Sequence, residues 1–229
     1  MKSFNLRRLV IVILLLAASF WIYVELVNRN AKDMTVKQKV LKAIYPMFSG
    51  LNRLFGNNTQ IVKNNSNIQP KQSIYDLSVQ LNDGSKLSLA NLKGKKLLLV
   101  NTASDCGYTG QYVELQKLYQ EHKEKLVVIG FPANDFHGQE PKSDQEIEQF
   151  CTINFGVSFP LAAKSVVIKS PGQNEVFQWL TDKSKNGWND EQPSWNFSKF
   201  VVDENGILTN YFDPAISPLS DEVVESLAK

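Results

Sequence analysis

The chain has 229 residues, 43% hydrophobic and 21% charged, a composition that suits one folded domain with an appendage and excludes a disordered chain. Its formal net charge of +2 hides an asymmetry: residues 1–70 hold ten Lys/Arg against Glu25 and Asp33, and the remainder holds 15 against 21 acidic residues. A mildly acidic body gives no electrostatic reason for nucleic-acid binding, and Cys106 and Cys151 are too few for a disulfide-rich secreted scaffold yet enough for one redox pair.

Lys2, Arg7 and Arg8 precede Leu9–Val24, a run without a charge that Leu26 and Val27 extend past Glu25. Nineteen such residues in a helix reach roughly 28 Å, close to the thickness of a bilayer core. Trp21 and Tyr23 suit the far interface. A cleaved signal peptide, with Ala17 and Ser19 before the cut, is the competing reading, but cleavage there leaves the bulky start Phe20-Trp21-Ile22-Tyr23. The basic N-terminus points to a translocated body, while Arg29, Lys32, Lys37, Lys39 and Lys42 pull the other way. Residues 35–55 place Val36, Val40, Leu41, Ile44, Met47, Phe48, Leu51, Leu54 and Phe55 near helical spacing, with Pro46 as a break. This segment reads equally as an interfacial helix or as one packed on the domain. Residues 56–72 read as a polar linker. The domain organisation is therefore an anchor over 1–30, a basic amphipathic segment and linker over 31–72, and one domain over 73–229.

Ile74–Leu81 alternates like a strand, Asn82-Asp83-Gly84 is a hairpin turn, and Lys86–Leu89 is the return. Leu97–Val100 is a β-type run that ends in a turn holding Cys106, with Ser104 and Asp105 as turn and N-cap residues of a helix carrying Tyr112, Leu115, Leu118 and Tyr119. A thiol at a helix N-terminus is biased toward the nucleophilic thiolate; a small buried apolar residue is the equally weighted alternative. Leu126–Phe131 is a second apolar strand. Ser143-Asp144-Gln145-Glu146 is a capping box, so a helix begins there and carries Ile147, Phe150 and Cys151. Ser165–Ile168 reads as a strand and Val176–Leu180 as part of a helix. Phe200–Asp203 and Ile207–Tyr211 flank Glu204-Asn205-Gly206 as a hairpin, and Ser220–Ala228 is a closing helix. This order is that of an α/β, thioredoxin-like fold, a central mixed β-sheet flanked by helices, here with an N-terminal membrane-anchor helix.

Four stretches, NTASDCGYT (101–109), FPANDFHGQEP (131–141), FCTINFGVSFP (150–160) and SWNFSKF (194–200), resemble the motifs of the glutathione peroxidase family, in order and with ordinary spacing over residues 73–226. The resemblance implies that Cys106 is the peroxidatic residue and that Gln139, Trp195 and Asn196 complete a catalytic tetrad. Fixed carboxamide and indole N–H groups suit that work, since they hold a sulfur anion and polarise a peroxide without taking up its protons. It also implies that Cys151 is the resolving thiol, as in members that work with thioredoxin; a static disulfide or a buried thiol is the alternative. Ala133 and Asp135 depart from the family's usual cysteine and glutamine, and Gly110 stands where proline is common.

The implied activity is reduction of hydrogen peroxide or organic hydroperoxides without a bound cofactor, a thioredoxin-like protein or glutathione serving as reductant. The short span from Leu180 to Trp195 resembles that of family members lacking the loop used for tetramer assembly, and the resemblance implies a monomer or dimer. Two rivals on the same fold are a thiol-disulfide oxidoreductase, weakened because Cys106-Gly107-Tyr108-Thr109 lacks a second cysteine, and a peroxide sensor.

Overall fold

A computed structural model describes residues 6–55 and 59–228. Lys2 of the basic flank, the 56–58 start of the polar stretch, and the Leu54 and Phe55 side chains lie outside the described residues.

Helix α1 (Leu6–Val27) exposes apolar side chains along its length and buries Val24. Among the described residues it is the one helix long and apolar enough to cross a membrane. It ends where Asn28 Nδ2 donates to the carbonyls of Val24 (2.8 Å) and Lys39 (3.0 Å), joining it to helix α2 (Val36–Phe55). A reciprocal cap opens α2: Gln38 N donates to Thr35 Oγ1 (3.2 Å) and Thr35 N to Gln38 Oε1 (2.9 Å). The expected break at Pro46 does not occur. Pro46 is exposed, so the helix forgoes only the bond to the Lys42 carbonyl on its outer side and continues. The helix packs on the domain through Gln38, Ala43 and Tyr45, and exposes Val36, Met47, Phe48 and Leu51.

The stretch expected as a linker contains strand β1 (Ile61–Lys63). Short edge pairing is a non-local event, and here Ile61, Val62 and Lys63 pair antiparallel with Phe212, Tyr211 and Asn210. The alternation over 74–81 is only half a strand, because Ser73 Oγ accepts from Tyr75 N and turns Ile74–Asp76 into a 3-10 turn. Strands β2 (Ser78–Gln80) and β3 (Lys86–Ser88) then form the expected hairpin. Strand β4 (Lys96–Thr102), helix α3 (Gln111–His122), strand β5 (Leu126–Pro132) and helix α4 (Asp144–Phe155) follow, α4 opening with the complete Ser143/Glu146 capping box. Ser165–Ile168 is no strand: Ser165 N donates to the Pro132 carbonyl and Val167 N to Asp135 Oδ2, so loop 132–135 takes up its backbone groups. Helices α5 (Glu175–Leu180) and α6 (Lys183–Asn186), the hairpin of β6 (Lys199–Val202) and β7 (Leu208–Phe212), and helix α7 (Asp221–Ala228) complete the chain.

The main sheet has the order β1-β7-β6-β4-β5, with β4 and β5 parallel and the other pairs antiparallel. Alternation along β4 divides the core in two. Leu98 and Val100 face α3, α4 and α7, and Leu97 and Leu99 face α5 and the 74–92 region. Each of these four side chains is fully buried and contributes on the order of 1.5–3 kcal/mol of transfer free energy. Side by side, β4 and β5 bring their C-terminal ends together at Thr102 and Pro132, where the chain leaves the sheet into the 101–109 and 131–141 motifs.

Gly110 marks the tightest contact of α2 with the domain, since a Cβ there would lie 2.2 Å from Cγ of the Tyr45 ring. We expect Gly110→Ala to push α2 outward, at a cost of about 1–3 kcal/mol, and to speed limited proteolysis within residues 28–55 while the circular dichroism of the sheet is retained.

Candidate active site

The chain leaves β4 through consecutive tight turns rather than directly into a helix. Thr109 N donates to the Cys106 carbonyl (3.1 Å), and the Thr109 hydroxyl lies 2.7 Å from that carbonyl and 3.0 Å from that of Ala103. These contacts wind residues 103–109 into a knot of turns, so α3 begins at Gln111 with Gly110 as its cap. The expected placement of Cys106 at the helix start, with Ser104 and Asp105 as cap residues, is corrected accordingly. The sulfur sits five residues short of α3, fully buried, and receives the Tyr108 N–H at 3.4 Å.

Burial pushes the Cys106 thiol up from its ordinary pKa; the Tyr108 N–H, the Trp195 and Asn196 side chains at hydrogen-bonding reach, and the charge of Lys37 draw it back. What favours the thiolate here is this set of donors and one cation, and not a helix dipole.

Trp195 and Asn196 reach the sulfur because Asn101, buried in β4, staples their segment to the sheet. Its Nδ2 donates to the Trp195 carbonyl (3.0 Å), its Oδ1 accepts from Ser198 N (3.0 Å), and its own carbonyl accepts from Phe197 N (2.6 Å). Phe197 adopts φ of 71°, a left-handed conformation costly for a side chain of its size, and Asn101 holds both sides of it. Beneath it the fully buried Lys199 Nζ donates to the Phe197 carbonyl (2.6 Å) and Gln111 Oε1 (2.9 Å); burial lowers its pKa to about 7 against the pull of Glu114 and Asp213.

The 131–141 loop closes the other side. Asp105 N donates to the Gln139 carbonyl (3.0 Å), and Glu140 Oε2 accepts from Ser104 N (2.8 Å) and Ser104 Oγ (2.9 Å). Asn196 Nδ2 donates to Gln139 Oε1 (3.0 Å), so Gln139 joins the site through Asn196. The Trp195 ring rests against Phe136 and His137, with centroids 5.6 and 5.1 Å away. Cys106, Gln139, Trp195 and Asn196 thus meet in one place.

Cys151 lies on α4 in the same core, fully buried, and both thiols are free. Burial pushes its pKa up to about 12; the Tyr112 hydroxyl opposes the shift and the Glu140 charge adds to it. Asn101, Glu140 and Lys199 are supporting residues that motif reading did not single out. All three sit inside the quoted motifs, and the available signal was a polar side chain ending an apolar strand or set among aromatic residues.

This is a thioredoxin-like domain whose buried thiol receives a backbone N–H and lies beside the Trp195 and Asn196 side chains. A glutathione peroxidase family profile matches residues 74–181. The glutathione peroxidase homolog BsaA of Staphylococcus epidermidis is 45% identical over 148 residues, covering 64% of this chain and 92% of that protein. The glutathione peroxidase-like peroxiredoxin 2 of Saccharomyces cerevisiae is 39% identical over 157 residues, 68% of this chain and 96% of that one. The crystal structure of T. cruzi GPX1 superposes with a TM-score of 0.51 at 31% identity, over 67% of this chain and 92% of that chain. The chain belongs to the glutathione peroxidase family.

Burial raises Glu140 from 4.5 to about 7, against the pull of its Ser104 bonds. The folded state therefore binds the proton more tightly than the unfolded one, and the contribution is complete below pH 4.5 and lost as pH rises through about 7. Glu140→Gln should remove this slope, worth no more than about 3 kcal/mol, in urea titrations between pH 4 and 8.

Proposed function

We propose that this chain is a cysteine-type peroxidase that reduces hydrogen peroxide or organic hydroperoxides with Cys106 as nucleophile. The observation that carries the reading is the buried Cys106 sulfur, which receives the Tyr108 N–H at 3.4 Å and stands close enough to the Trp195 and Asn196 side chains for both to favour its ionised form. None of these donors titrates near neutral pH, so they favour the thiolate and polarise a peroxide without competing for its protons. The thiolate attacks one peroxide oxygen, the O–O bond breaks, and the departing oxygen takes a proton to leave as water or an alcohol. Cys106 is then a sulfenic acid. In the resolving step the Cys151 sulfur attacks that of Cys106, an S–S bond forms, and the hydroxyl leaves as water with the Cys151 proton. A dithiol reductant of the thioredoxin type, or glutathione, returns both thiols, and no bound cofactor is required.

The rival disulfide-exchange chemistry needs a second thiol within the 106–109 turn. Thr109 stands there, with its hydroxyl directed to the loop carbonyls. We assign α1 to a membrane anchor. Twenty-two helical residues span about 33 Å with their apolar side chains exposed, and a signal sequence has the same features. On this reading the body lies on the extracytoplasmic side, which the basic N-terminal flank supports against the pull of the basic residues after α1, and works as a monomer or dimer.

Two measurements test this. Cys106→Ser should abolish peroxide turnover, and full turnover by that variant would sink the assignment. Cys151→Ser should consume one equivalent of peroxide, accumulate sulfenic acid that dimedone traps, and stop under thioredoxin. Separately, the full chain should remain with membranes through an alkaline carbonate wash.

A further inference from the structure

We infer that Gln38, supplied by α2 outside the segment that matches the family profile, is a positioning residue for Cys106. The inference rests on the reading of Cys106 as the nucleophile. Gln38 is 3% exposed, and its side chain is fixed from behind because Oε1 accepts the Thr35 N–H in the cap of α2. The amide nitrogen is thereby aimed at the peroxidatic turn, where it donates to Asp105 Oδ1 and lies 3.5 Å from the Ser104 carbonyl.

Asp105 and Ser104 immediately precede Cys106. On one side they are held by the Gln139 carbonyl and the Glu140 carboxylate, and Gln38 holds the other. The rest of α2 follows the same turn: the Tyr45 ring covers Gly110, and Phe48 packs on Tyr108, whose N–H reaches the sulfur, with centroids 5.7 Å apart. The seating of α2 has independent ties. Lys42 Nζ donates to the Asn154 carbonyl (2.6 Å), and Lys32 and Asn154 exchange hydrogen bonds of 2.9 and 3.1 Å. Removing the Gln38 donor therefore leaves the helix in place and frees the Asp105 carboxylate beside a sulfur that must carry negative charge, which disfavours the thiolate and loosens the turn that presents it.

Gln38→Glu separates this role from helix capping. A carboxylate still accepts the Thr35 N–H, so the cap survives, but it faces Asp105 with no proton to donate. In a Cys151→Ser background, where Cys106 is the only thiol, iodoacetamide alkylation and first-turnover oxidation by hydrogen peroxide should each slow on the order of tenfold, the loss of one charge-assisted hydrogen bond. The midpoint of the alkylation pH profile should rise, a change that the fall in melting temperature expected of two buried carboxylates in contact does not by itself produce. Adding Asp105→Asn re-forms the pair with donor and acceptor exchanged, and should restore both rates. Wild-type rates and midpoint in Gln38→Glu would overturn the inference, as would a double variant no better than the single one. If Gln38→Glu does not fold, Gln38→Met, similar in volume and without the amide, is read in the same way. Turnover retained by Cys106→Ser would instead strike the underlying assignment, so the two failures are distinguishable.

Discussion

The Asn101 side chain is the constraint on which the site depends. It follows the apolar run Leu97–Val100 near the end of β4, and with its own carbonyl it makes three hydrogen bonds to the 195–198 segment. Those bonds hold Phe197 in a left-handed conformation, and that conformation presents the Trp195 and Asn196 side chains to the sulfur. A buried carboxamide with its donor and acceptor both engaged is worth far more than its share of area, because any rearrangement leaves polar groups unpaired out of water. The sheet thus fixes two distant segments against each other with the accuracy of one side chain.

The same burial that orders the site opposes its chemistry. A thiol without water around it is reluctant to ionise, and the fold answers with nearby donors and a lysine from outside the four motifs. Glu140 shows the compromise from the other side. It is a carboxylate held out of water so that Ser104 can be gripped by two bonds, and its tendency to bind a proton is the consequence.

Much of this was legible in the sequence wherever the governing chemistry is local. The capping box at Ser143, the Asp83-Gly84 turn, the hairpin around Gly206 and the apolar runs of β4 and β5 all lie where residue types and spacing place them. The motif residues Cys106, Gln139, Trp195 and Asn196 lie together in the folded chain. What escaped was non-local or degenerate. Alternation over 74–81 does not distinguish a strand from a 3-10 turn followed by three extended residues, and a three-residue edge strand such as β1 is defined by its partner. The role of Gln38 escaped for the same reason, since its contact with Asp105 emerges only when α2 is laid across the turn of Cys106.

The pairing of β1 with β7 also bears on how copies of the protein tolerate one another. Without β1, the β7 edge would offer a five-residue ladder of unpaired backbone groups; with it, that edge ends in three residues, the last of them an exposed lysine. At the opposite edge the Leu161-Ala162 segment bonds to Gly130 in the middle of β5. A sheet with margins shortened and interrupted in this way offers little continuous ladder on which two copies could join edge to edge, even where they are crowded.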